Sequence, residues 1–286
     1  MVVIDRKIGG LVPYRVVFFP SDEILLSLTK RLRPIQLARL FWTATELEDS
    51  SYVVKHERSA TVCINLQKPP EDLLKGVAKN TRYEVRQAEK LGTRIRIVRN
   101  GAGANAEIVA LYNNLASAKS ELTKIGEGAL TRYEGHSDTF VAYLDERPVC
   151  GHVLLRDTEI GRARLLYSAS RRFGDRETAK LSGFLNRFLH WHELCAYREE
   201  GFGTYDLGGI RQDRADGITQ FKMSFGGEVV AEHTYLCAGL PLLGSAVRAI
   251  FEKVSSRQRR LAREAGTASR ASDLKQETAI PQSSGN

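Results

Sequence analysis

The stretch from Thr139 to Ser170, TFVAYLDERPVCGHVLLRDTEIGRARLLYSAS, constrains the fold of this chain more than any other. Its three apolar runs, 139–144, 149–155 and 162–168, are divided by DERP and DTEIG. Short apolar runs separated by turn-forming residues predict an antiparallel meander with tight turns. RRFGDRE interrupts the pattern, and a helix of about 22 residues is then expected to run to Glu200, its apolar positions keeping the helical period. Leu181, Phe184, Leu185, Phe188, Leu189, Trp191, Leu194 and Cys195 form that apolar face. Gly201 ends the helix, TYDL reads as a strand closed by Gly208 and Gly209, and a last strand is expected near AEHTYLCAG. A helix inserted between strands of one sheet gives an α+β fold, with room for a ligand at the helix N-terminus.

The first half is less regular. RVVFFP reads as a short strand, EILLSLTKRL as a helix closed by Pro34, and TVCINL (61–66) as a strand. KPPED then opens a helix, since proline suits a first turn and acids suit its positive end. In LLKGVAKNTRYEVRQAEKLG, Lys75, Lys79, Arg82, Arg86 and Lys90 fall within a fan of about 80° on one helix face. Leu74, Val77, Thr81, Val85 and Ala88 fall on the other side. Like charges at i,i+4 repel, so either the fan is a solvated face or a polyanion neutralises it. Gly92 ends the helix, TRIRIV reads as a strand, GAGANAE as a loop and IVALYNNLASAKSEL as a helix. Residues 123–137 read as a long polar loop.

Residues 1–60 are expected to be an accessory or partial segment, 61–240 the main domain, 241–264 a terminal helix and 265–286 a disordered tail. The chain has 286 residues and a net charge of +8, and the charge is local. Residues 75–99 carry eight Lys/Arg against Glu84 and Glu89. A basic patch of this kind suits a phosphate-rich ligand, a nucleic acid or an anionic membrane surface. Cys63, Cys150, Cys195 and Cys237 are widely spaced, as expected of buried thiols in a reducing cytosol. The N-terminal residues do not have the form of a secretory signal, and no window reaches the length of a membrane span. His190 and His192, two apart on one helix, face apart, so no metal site is predicted.

Several segments together resemble the FemAB-like acyltransferases, a branch of the GNAT fold. They are NTRYEVRQAEKLG, YSAS with the long helix after it, GFGTYDLGG, and GITQFKMSFGGE. The resemblance covers roughly residues 60–240. It implies a GNAT-type mixed, mostly antiparallel sheet flanked by helices. It also implies transfer of an acyl or aminoacyl group to a primary amine, on a cell-envelope or polysaccharide precursor that bears phosphate or is linked to lipid. No cofactor is held tightly; the donor is acyl-CoA or aminoacyl-tRNA. The protein would be cytoplasmic, with peripheral contact at the inner face of the membrane. The bridge-forming relatives carry two such domains, and this chain has room for one.

Aminolysis needs a neutral amine, a donor for the developing oxyanion and a route for the proton. Lys222 and Phe221 match the family's Phe-Lys pair beside the donor, and Lys222 is a candidate for neutralising phosphate or developing charge, on what reads as a strand end. Asp206 is either a proton acceptor or a cap on the Gly208–Gly209 turn; Tyr205 flanks it. Arg82 and Arg86, with Lys79, match the family's basic segment and would meet phosphate on the acceptor or on tRNA. Arg171, Arg172 and Gly174 match a donor-phosphate loop, but Arg176 stands where that loop has a small residue. That departure leaves the donor open. The rival reading is a non-catalytic protein whose basic helix, 73–91, binds RNA or an anionic membrane.

Overall fold

The computed structural model describes residues 1–47, 52–118, 122–171, 176–210 and 217–239. One sheet of ten strands organises them, in the order β1-β2-β3-β10-β4-β9-β8-β7-β6-β5. In chain order the strands are β1 Val2–Ile8, β2 Val12–Phe18, β3 Leu37–Thr43, β4 Val53–Asn65, β5 Ile95–Arg99, β6 Ser137–Leu144, β7 Arg147–Asp157, β8 Arg162–Ser170, β9 Thr204–Ile210 and β10 Glu228–Ala238. All neighbours are antiparallel except β2/β3 and β8/β9. The helices are α1 Asp22–Arg31, α2 Pro70–Gly76, α3 Lys79–Glu89, α4 Ala104–Ala118, α5 Gly128–Thr131, α6 Arg176–Glu199 and α7 Gly217–Met223. The fold is the expected mixed, mostly antiparallel α+β sheet.

The meander β6–β8 is apolar throughout because it is covered on both faces. Successive side chains on a strand point to opposite faces. Phe140 and Ala142 accordingly join the cluster around Leu185 and Leu189 of α6. Val141 and Tyr143 join Ala104 and Ile108 of α4. Two helices clamp three strands, and α6 is thereby fixed against the strands that bracket it in sequence.

Four expectations change. TVCINL is the end of a 13-residue strand that begins at Val53. Gly208 and Gly209 lie inside β9 and do not end it. Lys222 stands in the last turn of α7, a helix and not a strand end. The basic segment is two helices: Val77 and Ala78 are extended, with ψ of 134° and 145°. There the amide of Ala78 donates to Ser224 O at 2.8 Å, a tertiary bond that replaces a helical one. Arg82 then closes the exposed carbonyl end of α2, donating through Nη1 to Leu74, Lys75 and Val77 at 3.0, 3.1 and 2.7 Å. Those are the orphan acceptors every helix end leaves. Leu74, expected on the apolar side, is exposed, and Leu73 is buried in its place. The expected terminal helix and tail, 241–264 and 265–286, lie outside the described residues.

Candidate active site

Parallel β8 and β9 are bonded over three pairs only: Arg162 with Thr204, Ala163 with Tyr205, and Arg164 with Asp206. Beyond them each strand follows its other neighbour. β8 stays on β7 to Ser170, with one extra residue at Leu166. β9 stays on β4 to Ile210, with one extra residue at Leu207–Gly208. A bulge bends its strand and raises the local twist. Two bulges at matched positions in neighbouring strands open a wedge between them. Within it the facing backbone groups of both strands have no ladder partner among the described residues. Gly208 marks the bulge in β9: its φ is +79°, and a Cβ there would sit 3.0 Å from Leu165 O. Only glycine suits that conformation and that approach.

Lys222 closes one side of this wedge. Its Nζ donates to Gly209 O at 2.7 Å and lies 3.6 Å from where a Gly208 Cβ would be. Phe221, beside it, turns the other way. Its ring packs on His190 and Phe225, with centroids 5.6 and 5.4 Å distant, and Arg187 lies 4.9 Å over it.

Asp206 and Tyr205 point to opposite faces of β9, and both are fully buried. Asp206 accepts from Arg162 Nε at 3.1 Å, Arg164 Nη1 at 2.8 Å, the amide of Gly208 at 2.8 Å, and Thr61. Arg164 also holds Glu232, at 2.6 and 2.8 Å. Burial pushes the Asp206 pKa up, but Arg164 and Arg162 outweigh it and hold the carboxyl below its ordinary range. Each guanidinium is roofed by an aromatic ring, Arg162 by Phe19 at 4.6 Å and Arg164 by Trp42 at 3.8 Å. Phe19 and Trp42 have left-handed backbone, φ +53° and +61°, a costly conformation for bulky residues.

On the other face lies a buried polar chain. Tyr205 donates to Glu193 at 2.6 Å and accepts from His190 Nδ1 at 2.8 Å. His152 reaches Glu193 at 2.8 Å through Nδ1 and Asn186 at 3.0 Å through Nε2. Burial and then the neighbouring His152 push the His190 pKa down to about 4. Burial raises the Glu193 carboxyl, but His152 outweighs it and the pKa settles at about 2. Burial, then Glu193, pushes the Tyr205 phenol far up. Sequence reasoning missed this chain. The His190–Glu193 spacing of three was its one visible trace, and His152 sits 41 residues from Glu193.

Ligand atoms of His152, His190 and Glu193 lie within 4.8 Å of one another, as do those of Glu46, His56 and His233. In the first group Glu193, His152 and His190 Nδ1 are engaged in the hydrogen bonds just described. In the second, His56 and His233 meet at 3.0 Å, and Glu46 is paired with Arg58.

Arg86 and Lys79 are exposed on α3, with no side-chain partner among the described residues. Arg171 is exposed at the end of β8, its amide donating to Val149 O at 2.7 Å. Arg172 and Gly174 lie outside the described residues. The structure thus brings Lys222, Gly208 and Gly209 together at the wedge, buries Tyr205 and Asp206 beneath it, and commits Arg82 to α2. No helix among the described residues is long and apolar enough to cross a membrane.

A mixed sheet with a wedge between two parallel strands and a long helix after the first defines an acyltransferase-type architecture. The model of the acetyltransferase (GNAT) domain matches residues 75–223, more than half of the chain, and the chain belongs to that family. Its fold is similar to that of FemX, at 13% identity and a TM-score of 0.58, over 84% of this chain and 85% of that one. It is also similar to the C-terminal domain (DUF2156) of a protein described as a lysylphosphatidylglycerol synthetase from Agrobacterium fabrum. There the identity is 11% and the TM-score 0.57, over 88% and 84% of the two chains. A search of curated proteins found no match.

Proposed function

We propose that the chain is an N-acyltransferase that moves an acyl or aminoacyl group to a primary amine of a cell-envelope or polysaccharide precursor. The wedge between β8 and β9 carries this reading. Two rows of unpaired backbone donors and acceptors favour an extended ligand that bears amides, because such a ligand pairs as an added strand would. The pantetheine arm of acyl-CoA is extended and has two amides, so the wedge favours acyl-CoA as donor.

With the activated carbonyl at the wedge mouth, the neutral amine attacks its carbon, a C–N bond forms and the C–S bond breaks. The amine loses one proton and the departing thiolate takes one up. Lys222, held by Gly209 O, stabilises the charge that develops on the carbonyl oxygen or the leaving group. Asp206 keeps its charge and fixes the Gly208 bulge through that residue's amide, a positioning role and not proton transfer. Arg86 and Lys79 receive acceptor phosphate, whereas Arg82 supports the turn between α2 and α3.

The test is a donor screen on purified protein with acyl-CoA and aminoacyl-tRNA arms, each with a panel of amine acceptors. Acyl transfer from CoA is expected. Transfer from charged tRNA alone would reverse the donor assignment, and transfer from neither would remove the catalytic reading.

A further inference from the structure

Ten large apolar side chains are left exposed among the described residues, and six of them ring one face. These are Leu74, Tyr83, Ile218, Met223, Val229 and Val230, between 37% and 58% exposed. Printed bonds tie their elements together. The start of α3 bonds the end of α7 through Ala78 N to Ser224 O and through Thr81 Oγ1 to Ser224 Oγ, both at 2.8 Å. The end of α2 lies against Gly226, where a Cβ would overlap the carbonyl of Gly76. In the sheet, Val230 stands opposite Thr61, and Thr61 opposite Gly209. Two strand spacings, about 10 Å, therefore separate Val230 from the residue that holds Lys222.

Cations are interleaved with these apolar groups. On α3, Lys79, Tyr83, Arg86 and Lys90 follow a spacing of four, three and four, and all are exposed. Residues so spaced share one helix face. Thr81, Val85 and Ala88 are buried on the opposite face. Neither Lys79, Arg86 nor Lys90 has a side-chain partner among the described residues. Unpaired cations around exposed Leu, Met and Val, with one Tyr among them, have the composition of a surface that settles into a lipid headgroup layer. A purely nucleic-acid face gains nothing from leaving aliphatic groups bare.

We infer that the face formed by α2, α3, α7 and the start of β10 docks on an anionic phospholipid bilayer and turns the wedge mouth toward it. This rests on the acyl-transfer reading only in placing the amine acceptor at that surface.

The experiment is vesicle co-sedimentation of the full chain, without substrates, on phosphatidylglycerol/phosphatidylcholine and on phosphatidylcholine alone. Binding to the anionic vesicles is expected, and weak binding to neutral ones. Lys79→Gln with Arg86→Gln should weaken partition about thirty-fold, at roughly 1 kcal/mol per cation near the surface. Leu74→Ser with Met223→Ser should weaken it at least tenfold with melting unchanged. Leu11→Ser, on an exposed turn at the far end of the sheet, should leave it unaltered.

Partition that survives both face variants, or that Leu11→Ser abolishes, overturns the assignment. So does binding of tRNA through Lys79 and Arg86 with no vesicle binding. Acyl transfer to a water-soluble amine, assayed separately, is independent of the result, so loss of one reading leaves the other standing.

Discussion

The ammonium of Lys222 donates to the carbonyl of Gly209 at 2.7 Å, so the last turn of α7 is pinned to β9 at the bulge where β8 and β9 part. A side chain held by a backbone carbonyl is pre-positioned, and a cation so placed can serve charge that appears only during reaction. Lys222→Ala should therefore lower kcat by about 10²–10³, as loss of one oxyanion donor does. Stability should fall by about 1 kcal/mol for the lost hydrogen bond. Steady-state kinetics beside a thermal melt checks both, and a variant with normal turnover removes the role.

Asp206→Asn attacks a different property. The carboxylate balances Arg162 and Arg164 in a fully buried cluster. Removing one partner from a buried ion pair costs about 3–5 kcal/mol, since the remaining charges stay desolvated. Urea denaturation should show a loss of that order. An inactive protein with unchanged stability would instead mark Asp206 as a proton acceptor.

Arg82 and Arg86, four residues apart, should separate. Arg82→Gln removes the donor to three helix-end carbonyls and should destabilise by about 1–3 kcal/mol. Arg86→Gln should leave the melt unchanged and raise KM for a phosphate-bearing acceptor. Equal effects of the two substitutions on melting would contradict the capping geometry.

Acid stability follows from the buried chain on the α6 side. His190 has its pKa depressed from 6.5 to about 4, so the unfolded state binds its proton first as pH falls through that window. Glu193, depressed from 4.5 to about 2, acts in the same direction over a lower range. Stability should thus decline steadily from pH 6.5 toward pH 2. His190 alone accounts for on the order of 3 kcal/mol by pH 4. Denaturant midpoints across that range, compared with His190→Gln, measure the slope, which should flatten in the variant.

The parts of the fold legible in the sequence are those where one physical pattern acts alone. β6–β8 are apolar because α4 and α6 cover both faces, and α6 keeps its period because one side meets the sheet. β1 and β3 were not legible. VVIDRKI mixes charge into an edge strand, and LARLFWT carries an arginine that stacks on Phe41. The break between α2 and α3 is invisible locally, because Val77, Thr81, Val85 and Ala88 keep helical spacing across it. The bond from Ala78 to Ser224 decides it, and its partners are 146 positions apart. Lys222, Gly208 and Gly209 were legible as residues, but the wedge they border depends on two bulges that only strand pairing reveals.

The place of β10 has a consequence for synthesis. It lies between β3 and β4, although it is the last described strand. Until residues 228–238 have left the ribosome, β3 and β4 each present a bare edge where their shared neighbour belongs. At about 5–20 residues per second, the roughly 170 residues between the end of β4 and β10 take on the order of ten seconds or more to be made. For that interval the nascent chain holds two incomplete sheets, each able to pair with a foreign strand. Joining them is the final act of folding, and it waits on the arrival of one segment.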